Sequence, residues 1–92
     1  YEVSKAGVNR LTTSTAAANA GRGVRCNAIL PGFLDTPMAV SGIAAATGRP
    51  VEDVREERNA RVPLGRRMGA AMDTAYAALF LASDESRFIT GV

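Results

Sequence analysis

Val24-Arg25-Cys26-Asn27-Ala28-Ile29-Leu30-Pro31-Gly32 is the stretch that decides the fold class. Its first seven residues follow a glycine-containing turn and end at Pro31-Gly32, a strong breaker, so residues 24–30 read as a strand. The run Ala28-Ile29-Leu30 is continuously apolar, which suits a strand buried on both faces of a parallel sheet. Upstream, residues 1–20 read as a helix, with Val3, Ala6, Gly7, Leu11, Ser14 or Thr15, Ala17 and Ala18 spaced along one face. Large side chains are few there, so the helix should approach its neighbour closely. Gly21 and Gly23 stop it, with Gly21 as the residue just past the end. A helix, a glycine turn and a buried strand make half of a right-handed crossover unit.

Downstream, residues 33–48 read as a loop with a short irregular helix, the pattern of a lid or substrate wall after a sheet strand. Pro50 suits the first position of a charged helix to about Arg61, with Glu52 and Asp53 in its first turn. Pro63 and Gly65 break it. Residues 71–83 read as a last helix with Asp73 in its first turn and Ala75, Ala78, Leu79 and Ala82 inward. Ile89 to Val92 begins another extended segment.

The chain has 92 residues, room for one small domain at most. Eleven Lys and Arg against nine Asp and Glu give +2, no argument for a nucleic-acid partner. At 47% hydrophobic and 22% charged it reads as soluble and globular. Without histidine it has no His base, His metal ligand or Ser-His-Asp triad, and no metal is expected. One cysteine, Cys26, permits no internal disulfide and reads as a small buried, inert side chain. No apolar run is long enough for a membrane span, and no leader is visible, so the expected location is cytoplasmic. A strand inside a parallel sheet needs backbone partners on both sides, and this chain offers only a stub at 89–92. With a first residue Tyr1 rather than Met, the expectation is the C-terminal part of a larger α/β protein. An independent small helical domain is the other reading.

Chemistry gathers at the first turn. Tyr1 and Lys5 are four residues apart, so on a helix they share a face, about 6 Å apart at Cβ. A phenol titrates near pH 10, and a neighbouring ammonium favours its ionised form. Such a pair can move a proton to or from an alcohol or carbonyl oxygen. The same spacing also fits an ordinary surface helix. A second candidate region is Leu30 to Thr36, since doubly wound sheets bind ligands beyond the carboxyl ends of their strands. Thr36 reads equally as a helix N-cap ahead of Pro37.

Tyr1-Glu2-Val3-Ser4-Lys5-Ala6-Gly7-Val8 resembles the catalytic helix of the short-chain dehydrogenase/reductase family, and Val24 to Gly32 resembles its next strand and Pro-Gly turn. Phe33-Leu34-Asp35-Thr36-Pro37-Met38, Pro63-Leu64-Gly65-Arg66, Leu79-Phe80-Leu81-Ala82-Ser83 and Ile89-Thr90-Gly91 are similar to later landmarks, in order, across nearly the whole chain. The resemblance implies an α/β fold: the mostly helical C-terminal part of a doubly wound, Rossmann-like parallel-sheet domain. Residues 1–92 would belong to one NAD(P)-binding domain, with a substrate lid at about 37–62.

The resemblance also implies roles. Tyr1 would be the general acid or base, and Lys5 would support it and bind the nicotinamide ribose. Pro31 and Gly32 would turn the backbone past the nicotinamide. Leu34, by its main chain, and Thr36, by its hydroxyl, would hold the carboxamide and so fix the ring face that delivers hydride. Phe33 and Met38 are the implied substrate contacts. The implied activity is hydride transfer between NAD or NADP and an alcohol/ketone pair, such as a 3-oxoacyl thioester, cyclic diol or sugar. The family's glycine-rich phosphate loop and catalytic Ser precede the Tyr, so the 92 residues alone are expected to be inactive. Members of the family pair their catalytic helix into homodimers and homotetramers, and the same fold can serve as a non-catalytic subunit or helix-paired interaction module.

Two features stay open at this level. Arg55, Arg58, Arg61, Arg66 and Arg67 suit a phosphate or acyl-carrier surface, or a solvated face interleaved with Glu52, Asp53, Glu56 and Glu57. Met38, Val40 and Ile43 suit a hydrophobic substrate pocket, or plain packing.

Overall fold

The computed structural model describes all 92 residues. In order it contains α1 (Glu2–Asn19), a 3-10 turn (Ala20–Arg22), α2 (Ser41–Thr47), α3 (Val51–Ala60), α4 (Ala71–Ala82) and a second 3-10 turn (Asp84–Ser86). It divides into two compact units, one of Tyr1–Leu30 with Tyr76–Val92 and one of Pro31–Ala75.

In the first unit, α1 forms where its alanine-rich composition predicts it. It ends at Asn19, and a 3-10 turn carries the helical run past the stop expected at Gly21. Gly21 lies inside the 3-10 turn, and Gly23 takes the left-handed conformation at φ 73°, donating its N–H to the Ala20 carbonyl. A side chain there would meet the left-handed penalty of about 1–2 kcal/mol. The buried residues of α1 are Thr12 and Ala16, not the positions expected from spacing. Thr12 is tolerated inside because its hydroxyl donates to the Val8 carbonyl at 2.9 Å.

Residues 24–30 are extended but form no ladder, a correction to the expected strand. The segment lies against residues 89–92. Ala28 N–H donates to the Val92 carbonyl at 2.6 Å and Gly91 N–H to the Cys26 carbonyl at 2.8 Å. Side chains supply the other links: Cys26 N–H donates to Thr90 Oγ1 at 3.1 Å, and Val92 N–H to Asn27 Oδ1 at 3.2 Å. These side-chain bonds interrupt the regular backbone alternation that a ladder requires. The opposite edge has no strand beside it, and Leu30 stays 71% exposed rather than buried on both faces. Cys26 is likewise only half-buried. Arg25 ties the segment to the end of the chain, donating to Ser86 Oγ at 3.0 Å and to the Ser83 and Ile89 carbonyls at 3.2 Å.

The second unit has its own core of Val40, Ala44, Val54 and Met68, with Ile43 and Val62 packed against it. Burial of each larger side chain contributes about 1.5–3 kcal/mol before entropy is counted. Val40 and Ile43 are therefore packing residues, which decides their open alternative. The expected irregular helix is a regular α2, ended by Gly48 at φ 65°. Pro50 is the N-cap of α3, with an extended ψ of 140°, one place earlier than expected. Two ion-pair clusters bracket α3. Arg55 pairs with Asp35 and Glu52, and Glu57 pairs with Arg49 at 2.8 Å and Arg61 at 2.5 Å.

Asp73 begins α4 by accepting the Ala70 N–H at 2.7 Å. The expected inner face of α4 is not buried: Ala75, Ala78, Leu79 and Ala82 are exposed, and only Thr74 and Leu81 are half-covered. Nothing within the 92 residues packs on that face, so its apolar pattern goes unanswered here. No helix is long and apolar enough to cross a membrane.

Candidate active site

Tyr1 caps the start of α1. Its carbonyl accepts the Lys5 N–H at 3.1 Å and the Ser4 hydroxyl at 2.6 Å, which fixes the register of the first turn. The helix then carries Lys5 back over Tyr1. The ammonium lies 5.3 Å from the ring centroid, within cation–π range. Both side chains are exposed. The expected pairing of Tyr1 with Lys5 is thus present.

The other candidates lie in the second unit. Pro31 and Gly32 are exposed and lead through a bend at Phe33 to the single bridge residue Leu34. Leu34 forms an isolated parallel bridge with Gly69. Gly69 N–H donates to the Phe33 carbonyl at 3.1 Å, and Asp35 N–H donates to the Gly69 carbonyl at 2.8 Å. These bonds use the groups on either side of Leu34. Its own N–H and C=O take no bond from the chain, and the parallel bridge turns them to the opposite edge.

Thr36 Oγ1 accepts the Ala39 N–H at 3.3 Å, and the Thr36 carbonyl accepts the N–H groups of Ala39 and Val40 at 3.0 Å. The expected helix N-cap is not realised: this bond closes the turn at 37–40, and α2 begins later, with Val40 as its N-cap and no side-chain capping bond. A hydroxyl that accepts in this way still has its own proton to donate. An unused N–H, an unused C=O and a free hydroxyl proton along one short stretch complement a primary carboxamide, which both donates and accepts.

Phe33 lies beneath the Arg58 guanidinium, 4.7 Å from the ring centroid. Met38 is 84% exposed, away from the unit's core. Of the α3 arginines, Arg55 and Arg61 have carboxylate partners and Arg58 has the Phe33 ring, with its Nε buried and unpartnered. The Arg55 guanidinium is held above its ordinary pKa, first by the Glu52 hydrogen bond and then by Asp35. The Glu57 carboxyl is held below its ordinary value, first by its hydrogen bond to Arg49. The charged helix is therefore largely internally neutralised, as the solvated-face reading expects. A cleft of about 290 Å³ lies among Asp35, Arg55, Asn59, Arg67, Met68, Gly69 and Ala70. No three His, Cys, Asp or Glu side chains cluster so as to hold a metal ion.

Sequence reasoning missed Gly69, and it placed Arg58 on a charged surface without its contact to Phe33. Each acts through a contact with Phe33 or Leu34 more than twenty residues away in the chain, and no local spacing encodes that.

A family model described as enoyl-(acyl carrier protein) reductase matches residues 1–92. The chain is 45% identical over 91 residues to 3-oxoacyl-(acyl-carrier-protein) reductase FabG of Thermotoga maritima, covering 99% of this chain and 33% of the relative. It is 47% identical over 92 residues to (3R)-3-hydroxyacyl-CoA dehydrogenase of Mus musculus, covering 99% of this chain and 32% of that protein. Among solved structures, it matches ligand-free aldohexose dehydrogenase of Thermoplasma acidophilum with a TM-score of 0.86 and 36% identity, covering 97% of this chain and 35% of that one. A short chain dehydrogenase family protein of Francisella tularensis matches with a TM-score of 0.87 and 29% identity, covering 99% of this chain and 38% of the other. The chain spans about a third of the length of these relatives.

Proposed function

Because this chain belongs to the short-chain dehydrogenase/reductase family, and is a mostly helical part of that family's doubly wound α/β fold, we propose that it is the C-terminal part of an NAD(P)-dependent oxidoreductase. The 92 residues belong to a single NAD(P)-binding domain in this reading, with residues 37–62 as its substrate lid. The substrate is an alcohol/carbonyl pair. The relatives' names, a 3-oxoacyl-(acyl-carrier-protein) reductase, a (3R)-3-hydroxyacyl-CoA dehydrogenase and an aldohexose dehydrogenase, support that class.

The observation that carries the proposal is the Tyr1–Lys5 pair, one helical turn apart with the ammonium at the ring. Tyr1 donates its phenolic proton to the substrate oxygen in the reducing direction and takes the alcohol proton in the oxidising one. Lys5 stabilises negative charge on the phenol oxygen as the proton leaves, and donates to the ribose hydroxyls of the cofactor. A nicotinamide, when bound, supplies or accepts the hydride. Leu34 presents its free N–H and C=O to the carboxamide, and Thr36 adds its hydroxyl proton. Pro31 and Gly32 route the backbone past the ring, and Phe33 and Met38 contact the substrate. The exposed small-residue face of α1 is the pairing surface of a homodimer or homotetramer in the same reading.

The test is to express the complete reading frame that carries this sequence and follow nicotinamide oxidation and reduction. NADH and NADPH are offered with a ketone panel, and NAD and NADP with the matching alcohols. Turnover of at least one pair supports the proposal. A folded complete protein with no turnover under either nicotinamide favours a non-catalytic subunit instead.

A further inference from the structure

We infer that Gly69 is a positioning residue for the nicotinamide carboxamide, acting by holding the Leu34 peptide from behind. The inference rests on the proposed contact between the Leu34 main chain and the carboxamide. It adds a residue that no local motif marks.

Gly69 is bonded on both sides of Leu34, through the Phe33 carbonyl at 3.1 Å and the Asp35 N–H at 2.8 Å. The two bonds fix the plane of the stretch around Leu34. They leave the Leu34 N–H and C=O unused on the far edge. Rotating that stretch would swing both free groups away from a ligand together. At this position a glycine avoids two tight side-chain contacts. A Cβ at position 69 would lie 3.0 Å from Leu34 Cδ2 and 3.1 Å from Asp73 Oδ2. Asp73 Oδ2 is committed to the Ala70 N–H at 2.7 Å, so it yields only by loosening the start of α4. The displacement therefore falls on the Leu34 side chain, whose own rotation takes up part of it before the peptide moves. Alanine asks for a shift of a few tenths of an ångström, and valine, with two further carbons, asks for more.

The geometry predicts a graded effect on cofactor seating. In the complete protein, Gly69→Ala raises the KM for the nicotinamide cofactor, and Gly69→Val raises it by about tenfold or more, the scale expected when a binding group is displaced by a fraction of an ångström to 1 Å. A purely structural role would lower thermal stability without altering which ring face reacts. The discriminating readout is therefore the stereospecificity of hydride transfer, followed with cofactor deuterated on one face of the nicotinamide. Gly69→Val is expected to leak label to the other face.

Hydrogen exchange on the unmutated protein gives a second measurement that does not depend on variants folding. The Asp35 and Gly69 amides should be protected with and without cofactor, and the Leu34 amide only when NAD or NADP is bound. Unchanged cofactor KM and stereospecificity in folded variants would overturn the inference. So would a Leu34 amide indifferent to saturating cofactor. If the unmutated protein turns over neither nicotinamide, it is the proposed function that fails, and the two failures are distinguishable.

Discussion

Lys5 holds its ammonium 5.3 Å from the centroid of the Tyr1 ring, one turn along the same helix. The register is set by the Tyr1 carbonyl, which accepts the Lys5 N–H and the Ser4 hydroxyl.

Lys5→Ala keeps the helix, since alanine is its best former, and removes the charge. In the complete protein it should lower kcat by about 10²-fold, the size of a general acid–base contribution, and also weaken cofactor binding. Steady-state kinetics and a cofactor titration check both effects. An unchanged rate and affinity would remove Lys5 from the proposed site.

Met68→Ala tests the core of the second unit. Met68 is 6% exposed and packs with Val40, Ala44 and Val54. Truncation should cost about 2–5 kcal/mol, read as a lower midpoint in denaturant unfolding. A midpoint within error of the unmutated protein would show that this cluster is not a core.

The fold was only partly legible in the sequence, for physical reasons. Helices declared themselves through composition and breakers: Pro50 and Gly48 mark α3 and α2 to within a residue. Buried faces did not, because Ala16 and Thr12 are inside for reasons of close approach rather than size. Residues 24–30 have the composition of a strand, yet a ladder is a relation between segments, and residues 89–92 meet them partly through Asn27 and Thr90 side chains. At the candidate site, Tyr1 and Lys5 could be found because helical spacing is local. Gly69 and the contact of Arg58 with Phe33 could not, since a glycine bonded across a thirty-odd-residue separation looks like any turn glycine until the contact is seen.

Acid should loosen the second unit through Glu57. Its carboxyl is held below its ordinary value of 4.5, chiefly by hydrogen bonding to Arg49. A depressed folded value means that the contribution is fully present above the unfolded value and is lost as pH falls through the folded one. Glu57→Gln should therefore lower Tm slightly at neutral pH, and the difference should shrink as pH falls below 4.5 and vanish once the folded carboxyl is protonated. Thermal melts of both proteins across that range check the sign. A gap that widens in acid would contradict it.

Arg25→Met should destabilise the first unit. It strips donors from Ser86 Oγ and from the Ser83 and Ile89 carbonyls, and Ser86 is fully buried. The Ile89 carbonyl keeps the Asn27 Nδ2 donor and the Ser83 carbonyl keeps the Ser86 N–H and hydroxyl, so the cost is that of the lost hydrogen bonds, about 0.5–1.5 kcal/mol each. The loss should show in urea unfolding and as faster amide exchange at Gly91 and Ala28, whose bonds join the two extended segments. Unaltered exchange at both amides would place the anchor elsewhere.

The most direct test of the account is Tyr1→Phe in the complete protein, with turnover and cofactor affinity measured on the same preparation. Loss of the single phenolic oxygen should reduce kcat by about 10²–10⁴-fold and leave nicotinamide binding largely intact. Turnover equal to that of the unmutated enzyme would contradict the assignment of Tyr1 as the group that moves the proton.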